Sequence, residues 1–390
     1  MPDKSTRQSI DDLHAALAAN DSQAIVDFFD SAKPTDSVYA ISHLSDVEQS
    51  RLLTSLTWEE AAKLVDDLPE EQAARMIERL SIDDAAAIVS EMRSNEQADV
   101  ISRLPELEAS AILDAMPLAY ARDARRLMSY PADSAGGLMI TEYLAYNDNL
   151  TVGHVLDDLR THADRYRRYD VQYAYVVSNV GQLVGVLRLR DLLLSSPSDA
   201  LSAAMIHHPH SVRDTAPLEV LERFFNRRPL FGVPAIDADS RLVGIVRNAD
   251  VEQAAAERSS RSFLKFMGIV GGEELRSMPL RTRSMRRLSW LSVNILLNII
   301  AASVIAFNQD TLAAVIALAV FLPIISDMSG CSGNQAVAVS MRELALGFIN
   351  PSDVWRVLGK EAAIGVINGL ALGYGRVTSC WAWSWPPRWR

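Results

Sequence analysis

Between residues 44 and 116 an apolar side chain returns every twelve positions, at Leu44, Leu56, Leu68, Leu80, Met92, Leu104 and Met116. Most units carry a second apolar set in step with it: Ala61, Leu64 and Val65; Ala73, Met76 and Ile77; Ala85, Ile88 and Val89; Ala109, Ile112 and Leu113. Offsets of three and four place each set on one face of a helix. Helix-start chemistry marks the unit boundaries. Ser45 with Glu48 and Thr57 with Glu60 have capping-box spacing, and Pro69 and Pro105 fall where a first helical turn accepts proline. A twelve-residue unit holds roughly two helical turns and a connection, too little to stand alone in water. Stacked units bury a common core, so the pattern predicts a superhelix of short helices.

The texture changes after YPADSAGGLM (130–139). Residues 173–177 (YAYVV) and 183–187 (LVGVL) read as short strands around a turn at Asn179 and Gly181, with helices near 151–163 and 189–195. The same grammar returns about 58 residues later: a helix near 217–227, strands 231–236 (FGVPAI) and 242–246 (LVGIV), and a turn at 237–240. Each second strand contains a glycine, Gly185 or Gly244. The repetition predicts two related α/β half-domains packed together.

A third texture begins at Leu288. Residues 288–307 (LSWLSVNILLNIIAASVIAF) form 20 uncharged positions, the length a bilayer core requires. Arg281, Arg283, Arg286 and Arg287 precede it and mark that side as cytoplasmic. A second apolar run, 312–325, continues into SDMSGCSGNQAVAVSM (326–341), and a third starts near Ala362 and loses its character after Gly375. Asn294, Asn298 and Asp327 at membrane depth are costly unless they face protein or water. A Pro-, Gly- and Ser-rich stretch beside an intramembrane acid suits exposed carbonyls lining an ion path, although close helix packing through small residues uses the same composition.

Charge divides along the same lines. Of the 390 residues, 1–280 hold 44 acidic and 28 basic side chains, whereas 281–390 hold 5 and 10. An acidic head argues against nucleic acid and suits either cations or plain solubility. Its carboxylates Asp66, Asp67, Glu70, Glu71, Asp83 and Asp84 are expected mostly after caps and in first turns, where the helix dipole favours them whether or not an ion binds. Cys331 and Cys380 offer neither a disulfide framework nor a zinc site. The polar N-terminus lacks a secretory segment, so the head is expected in the cytosol. His207, His208 and His210 lie in a Pro-containing loop without a paired acidic ligand and read as solvated. No nucleophile–base pair or phosphate-binding loop suggests an enzyme.

The middle segment resembles a tandem CBS pair, a module associated with adenine nucleotides. The family's Gly-x-x-Ser/Thr-x-x-Asp pattern is matched by GVLRLRD (185–191) and GIVRNAD (244–250) at Asp191 and Asp250, with Arg188 and Arg247 replacing the hydroxyl residue. Arginine can meet a phosphate. The order of parts, with YPADSAGGLM and LPIISDMSGCSGNQ, resembles the MgtE family of magnesium transporters over residues 20–375. The resemblance implies a helical N-terminal domain (1–130), CBS halves (131–196 and 197–256), a connecting helix (257–284) and an incomplete helical transmembrane domain (285–375). It also implies a multi-pass homodimer in the bacterial plasma membrane, with Mg²⁺ moving past Pro323, Gly330, Gly333, Asn334 and Gln335, and Asp327 beside them. Cys331 stands where asparagine is common.

In that family the acidic head binds Mg²⁺ and closes the pore. Here the sensing set would be the six repeat carboxylates with Asp250, Glu252 and Glu257, although Arg258 and Arg261 intrude on the connecting helix. The family's fifth membrane helix supplies an aspartate near the pore that has no counterpart here. Residues 376–390 (RVTSCWAWSWPPRWR) hold four of the seven tryptophans and read as an aberrant, frameshifted or truncated end. The chain as written is therefore expected not to conduct. Two other readings stay open: a membrane-tethered sensor that moves no ion, and a transporter of another divalent cation such as Co²⁺.

Overall fold

The computed structural model describes residues 13–32, 34–167, 169, 172–266, 269, 280–314, 317–345 and 353–383. It divides into two units, Met1–Ala256 and Glu257–Arg390. The first opens with short helices: α1 (Ser22–Ser31), α2 (Pro34–His43), α3 (Asp46–Ser55), α4 (Trp58–Asp66), α5 (Glu70–Glu78), α6 (Ile82–Glu91), α7 (Ser94–Ser102), α8 (Glu106–Ala115) and α9 (Leu118–Leu127). The four apolar sets named above are buried in a core that runs from Leu13 to Ala124. The twelve-residue markers close the helices. Backbone N–H groups of Leu44, Leu68, Leu80, Met92 and Leu104 donate to Ile41, Val65, Ile77, Val89 and Ile101, each at 3.1–3.2 Å. All seven markers are buried except Leu80, which is half-buried against the same core.

Where the alanine of the set is replaced by glutamine, the amide takes over part of the closure. Gln49 Nε2 donates to the carbonyls of Ile41 and Leu44 at 3.0 and 3.2 Å, and Gln97 Nε2 to that of Met92 at 2.8 Å. Both capping boxes form. The hydroxyls of Ser45 and Thr57, followed by their backbone N–H groups, hold Glu48 and Glu60 below the usual carboxylate range. Pro69, Pro105 and Pro117 stand at the N-cap, one residue ahead of the first turn.

Each α/β half is built on an antiparallel strand pair. β2 (Tyr173–Val177) pairs with β3 (Leu183–Arg188), and β6 (Gly232–Ile236) with β7 (Leu242–Arg247). The registers repeat, Tyr173 facing Arg188 and Gly232 facing Arg247, and each pair slips near its end, after Val176 or Ala235. Gly181 (φ 82°) and Ser240 (φ 62°) turn the two hairpins. Three strands have too few residues to show a period in the sequence: β1 (Leu144–Asn147), β4 (Ile206–His207) and β5 (Val212–Arg213). They give sheet orders β1-β2-β3-β4 and β5-β6-β7, with β1 and β5 parallel to their neighbours.

The halves exchange their leading segments. Ala135, Leu138 and Met139 precede the first sheet but are buried with Leu218, Val233 and Val246 of the second half. Leu201 and β4 precede the second sheet and belong to the first. Each segment ends in a methionine laid over the strand glycine. A β-carbon on Gly185 would lie 2.1 Å from Met205 Sδ, and one on Gly244 would lie 2.5 Å from Met139 Sδ and 3.0 Å from the Ile140 carbonyl.

The second unit contains long helices. Leu280–Phe307 holds the first apolar run, Ala317–Ala345 continues unbroken through the GCSGNQ motif, and Val354–Trp383 is helical through the start of the Trp-rich segment. Residues 384–390 of the Trp-rich segment lie outside the described set. Among the described residues, Arg283–Phe307 is the one stretch that meets the length and hydropathy of a membrane span. Helix Asn248–Phe266 runs directly from β7 and carries the start of the connecting segment.

Gly244→Ala is expected to destabilise the head by about 1–3 kcal/mol, because the added methyl meets Met139 and backbone in a packed site. Urea denaturation of the protein reads this as a lower midpoint with an unchanged slope.

Candidate functional site

The helical repeat meets the second half across a charged boundary. Arg93, the residue before α7, directs Nη2 to Asp66 at 3.1 Å and to Glu96 at 3.3 Å, and Nη1 lies 3.9 Å from Asp250. Arg247 forks onto the same Asp250, with Nε 2.7 Å from its Oδ2. Because Arg93 does not cap α7, the cap comes from a distant segment: Ser94 N–H and Oγ donate to the Glu142 carboxylate at 3.0 and 2.8 Å. Tyr130 Oη donates to Asp214 at 3.0 Å, and Arg126 Nη2 to the Val243 carbonyl at 3.2 Å. Ala98 and Leu127 of the repeat join the apolar core of the second half. The boundary is thus both greasy and charged.

The expected sensing carboxylates are scattered by this arrangement. Asp66 ends α4 and Asp67 is its C-cap, so these two do not sit in a first turn as expected; the helix they close is nine residues long and stops short of Pro69. Glu70 and Glu71 open α5, with Glu70 paired to Arg103, and Asp83 and Asp84 open α6, where Asp84 accepts from Ser81 Oγ at 2.8 Å. Asp250 is buried, Glu252 accepts from Asn248 Nδ2 at 2.8 Å, and Glu257 lies in the second unit. Among the described residues no three His, Cys, Asp or Glu side chains converge to hold a metal ion. Mg²⁺ requires several oxygens near 2.1 Å in an octahedron. The charged boundary does not fit that demand, because guanidinium groups already lie between its carboxylates.

Two cavities flank the paired sheets, of about 410 and 390 Å³, and share Tyr173, Tyr175 and Leu230 as walls. The first is lined by Glu142, Glu252 and Arg247, the arginine already held by Asp250. The second is lined by Arg188, His208 and His210, with no carboxylate in its wall. The three histidines are exposed, as expected, and His208, at positive φ (51°), and His210 also line this cavity. Neither Asp191 nor Asp250 lines either space; Asp191 lies beside Arg190 Nε at 3.5 Å. The two hydroxyl-replacing arginines do, one in each. Burial raises the phenol of Tyr175 and keeps it neutral.

In the second unit Asp327, Gly330, Gly333, Asn334 and Gln335 all fall on helix Ala317–Ala345. Spacings of 4, 3 and 4 put Pro323, Asp327, Gly330 and Asn334 on one stripe, with Gly333 beside it and Gln335 farther round. A β-carbon at Gly330 or Gly333 would meet no atom within 4 Å. The stripe offers one carboxylate, one amide and backbone free of side-chain cover.

The boundary charge also titrates. Burial, then the charge of Asp66, pushes Glu96 up to about 8, and burial raises Asp66 as well, opposed by Arg93. A carboxyl raised in the folded state takes up a proton on folding. Its stabilisation is complete below the ordinary value of 4.5 and is lost as pH climbs through about 8. Melting temperature is expected to fall between pH 5 and 8, roughly the window set by Glu96, and Glu96→Gln to flatten that slope in a calorimetric pH series.

Three family models match in series: the MgtE intracellular N domain at residues 32–133, the CBS domain at 201–257, and the divalent cation transporter domain of MgtE at 322–386. Magnesium transporter MgtE of Thermus thermophilus is 32% identical over 255 residues, covering 65% of this chain and 56% of that protein. The Bacillus subtilis magnesium transporter MgtE is 29% identical over 258 residues, 66% and 56% of the two chains. The chain thus spans about half the length of these curated relatives. The crystal structure of the cytosolic domain of the Mg²⁺ channel MgtE in complex with ATP superposes with a TM-score of 0.57 at 28% identity, over 63% of this chain and 99% of that one. A repeat of short helices, a crosswise-packed CBS pair and the GCSGNQ helix thus match, in that order, parts of MgtE magnesium transporters.

Proposed function

We propose that the chain is a subunit of a divalent-cation transporter, with Mg²⁺ as cargo and the acidic head as its cytosolic regulatory part. The observation that carries this reading is the alignment of Pro323, Asp327, Gly330 and Asn334 along one helix, within the segment matched by the transporter domain. A hydrated Mg²⁺ gives up its waters reluctantly, so an ion path needs amide and carbonyl oxygens and few direct carboxylates. The stripe supplies one amide, Asn334, and a single carboxylate, Asp327. The basic residues Arg281, Arg283, Arg286 and Arg287 support a cytosolic head, and in this reading two copies in the bacterial plasma membrane complete the path. Gating by cytosolic Mg²⁺ narrows to carboxylates outside the arginine-filled boundary, such as the exposed Asp67 and Asp83.

A nucleotide is the second part of the proposal. The cavity lined by Arg188, His208 and His210 is the one of the pair suited to phosphate, since its wall holds no carboxylate beside the arginine, and Tyr173 offers an aromatic face. The relative whose cytosolic domain was crystallised with ATP supports this assignment.

Uptake of Mg²⁺ into liposomes carrying the purified chain tests transport. Uptake above that of empty vesicles, at least about tenfold slower for Asn334→Leu and competed by Co²⁺ only at excess, supports transport and overturns the sequence expectation that the chain does not conduct. No uptake, with the head still binding nucleotide, leaves the membrane-tethered sensor as the reading. In an ATP titration Arg188→Ala is expected to weaken binding on the order of tenfold while Glu252→Gln, in the other cavity, leaves it unchanged.

A further inference from the structure

We infer that Arg93 is the resident cation of the boundary between the helical repeat and the second CBS half, which therefore closes without a divalent ion. Asp66 and Glu96 come to this boundary from the repeat and Asp250 from the CBS half. A bridging ion would have to sit among these carboxylates, and the Arg93 guanidinium already does, at 3.1, 3.3 and 3.9 Å. Arg247 adds a second guanidinium on the far side of Asp250. Two fixed positive charges thus face the carboxylates of Asp66 and Asp250 and the buried carboxyl of Glu96. A guanidinium does not lose its proton, and its planar donors reach several oxygens at once, so the bridge persists whatever the metal concentration.

The other bonds across the boundary are equally indifferent to metal. Glu142 caps Ser94, Tyr130 donates to Asp214, Arg126 reaches the Val243 carbonyl, and Ala98 and Leu127 are buried in the opposite core. An ion added here would have to displace a guanidinium and find an octahedron of oxygens that the boundary does not provide. Removing Arg93 would instead leave Asp66, Glu96 and Asp250 facing one another partly buried, an arrangement that costs far more than the bridge itself supplies.

The test is hydrogen–deuterium exchange of the full chain in detergent, followed on peptides covering residues 94–102 and 244–256, in EDTA and in millimolar Mg²⁺. It reads the boundary and not transport, so its outcome is independent of whether the chain moves ions. Exchange of the unaltered protein is expected to agree within about twofold between the two conditions. Arg93→Ala is expected to exchange on the order of tenfold faster in EDTA at both peptides, and Arg93→Lys, which keeps the charge, to stay closer to the unaltered protein. Should Arg93→Ala lack a folded circular-dichroism spectrum, Arg93→Gln takes its place with the same readout. Acceleration of the unaltered protein by EDTA to the rate of the alanine variant overturns the inference, and so does an alanine variant that exchanges at the unaltered rate.

Discussion

No helix of nine or ten residues holds itself together in water, and most of the head is made of such helices. Each exists because its neighbours bury its apolar face, and each is ended by a residue that also belongs to the core. The marker at every twelfth position therefore does two things at once. Its side chain packs in the common interior, and at Leu44, Leu68, Leu80, Met92, Leu104 and Met116 the backbone N–H turns back to stop the helix. Shared burial extends past the repeat, since α9 contributes Leu127 to the second CBS half. The cavities and the charged boundary are positioned by this continuity of apolar contact.

Much of this was legible in the residues alone, for a physical reason: period. A twelve-residue recurrence with sets at offsets of three and four leaves little besides stacked helices, and two strand pairs with matching glycines leave little besides a duplication. What escaped had no period. β1, β4 and β5 are two to four residues long, and crosswise packing of residues 135–139 and 201–207 cannot be seen in linear order. The site residues show the same division. The residues proposed for the ion path lie on a single helix and could be read from a contiguous motif, whereas the boundary of Asp66, Arg93, Glu96, Glu142 and Asp250 is assembled from distant segments. One signal did exist. Arg93 occupies a helix-start position where other units place Ser45, Thr57, Ser81 or a proline, and a missing cap implies that the cap comes from elsewhere.

Duplication set the geometry of the CBS pair, and charge then separated the copies. Arg188 and Arg247 hold the same register in their hairpins and each lines a cavity. Asp250 holds Arg247, while Asp191 turns toward Arg190 and leaves Arg188 available to its cavity. The pairing of Arg247 with Asp250, together with Glu142 and Glu252 in its cavity wall, distinguishes an acidic space from a basic one across a shared tyrosine wall. The difference arises without any change in backbone plan.

The crosswise packing of the CBS halves bears on how the chain comes into being. As residues leave the ribosome in order, the first sheet lacks its fourth strand until residues 206–207 have been made. Residues 135–139 are synthesised early, yet their burial partners Val233 and Val246 arrive about a hundred positions later. Met139 must wait exposed, with Leu138 beside it, through most of the synthesis of the pair. Neither half can be completed, cut out or transplanted as an independent piece. The pair matures in one late step, and the repeat, whose core joins helices near in sequence, is the part that can form first, with its last contacts at Ala98 and Leu127 made afterwards.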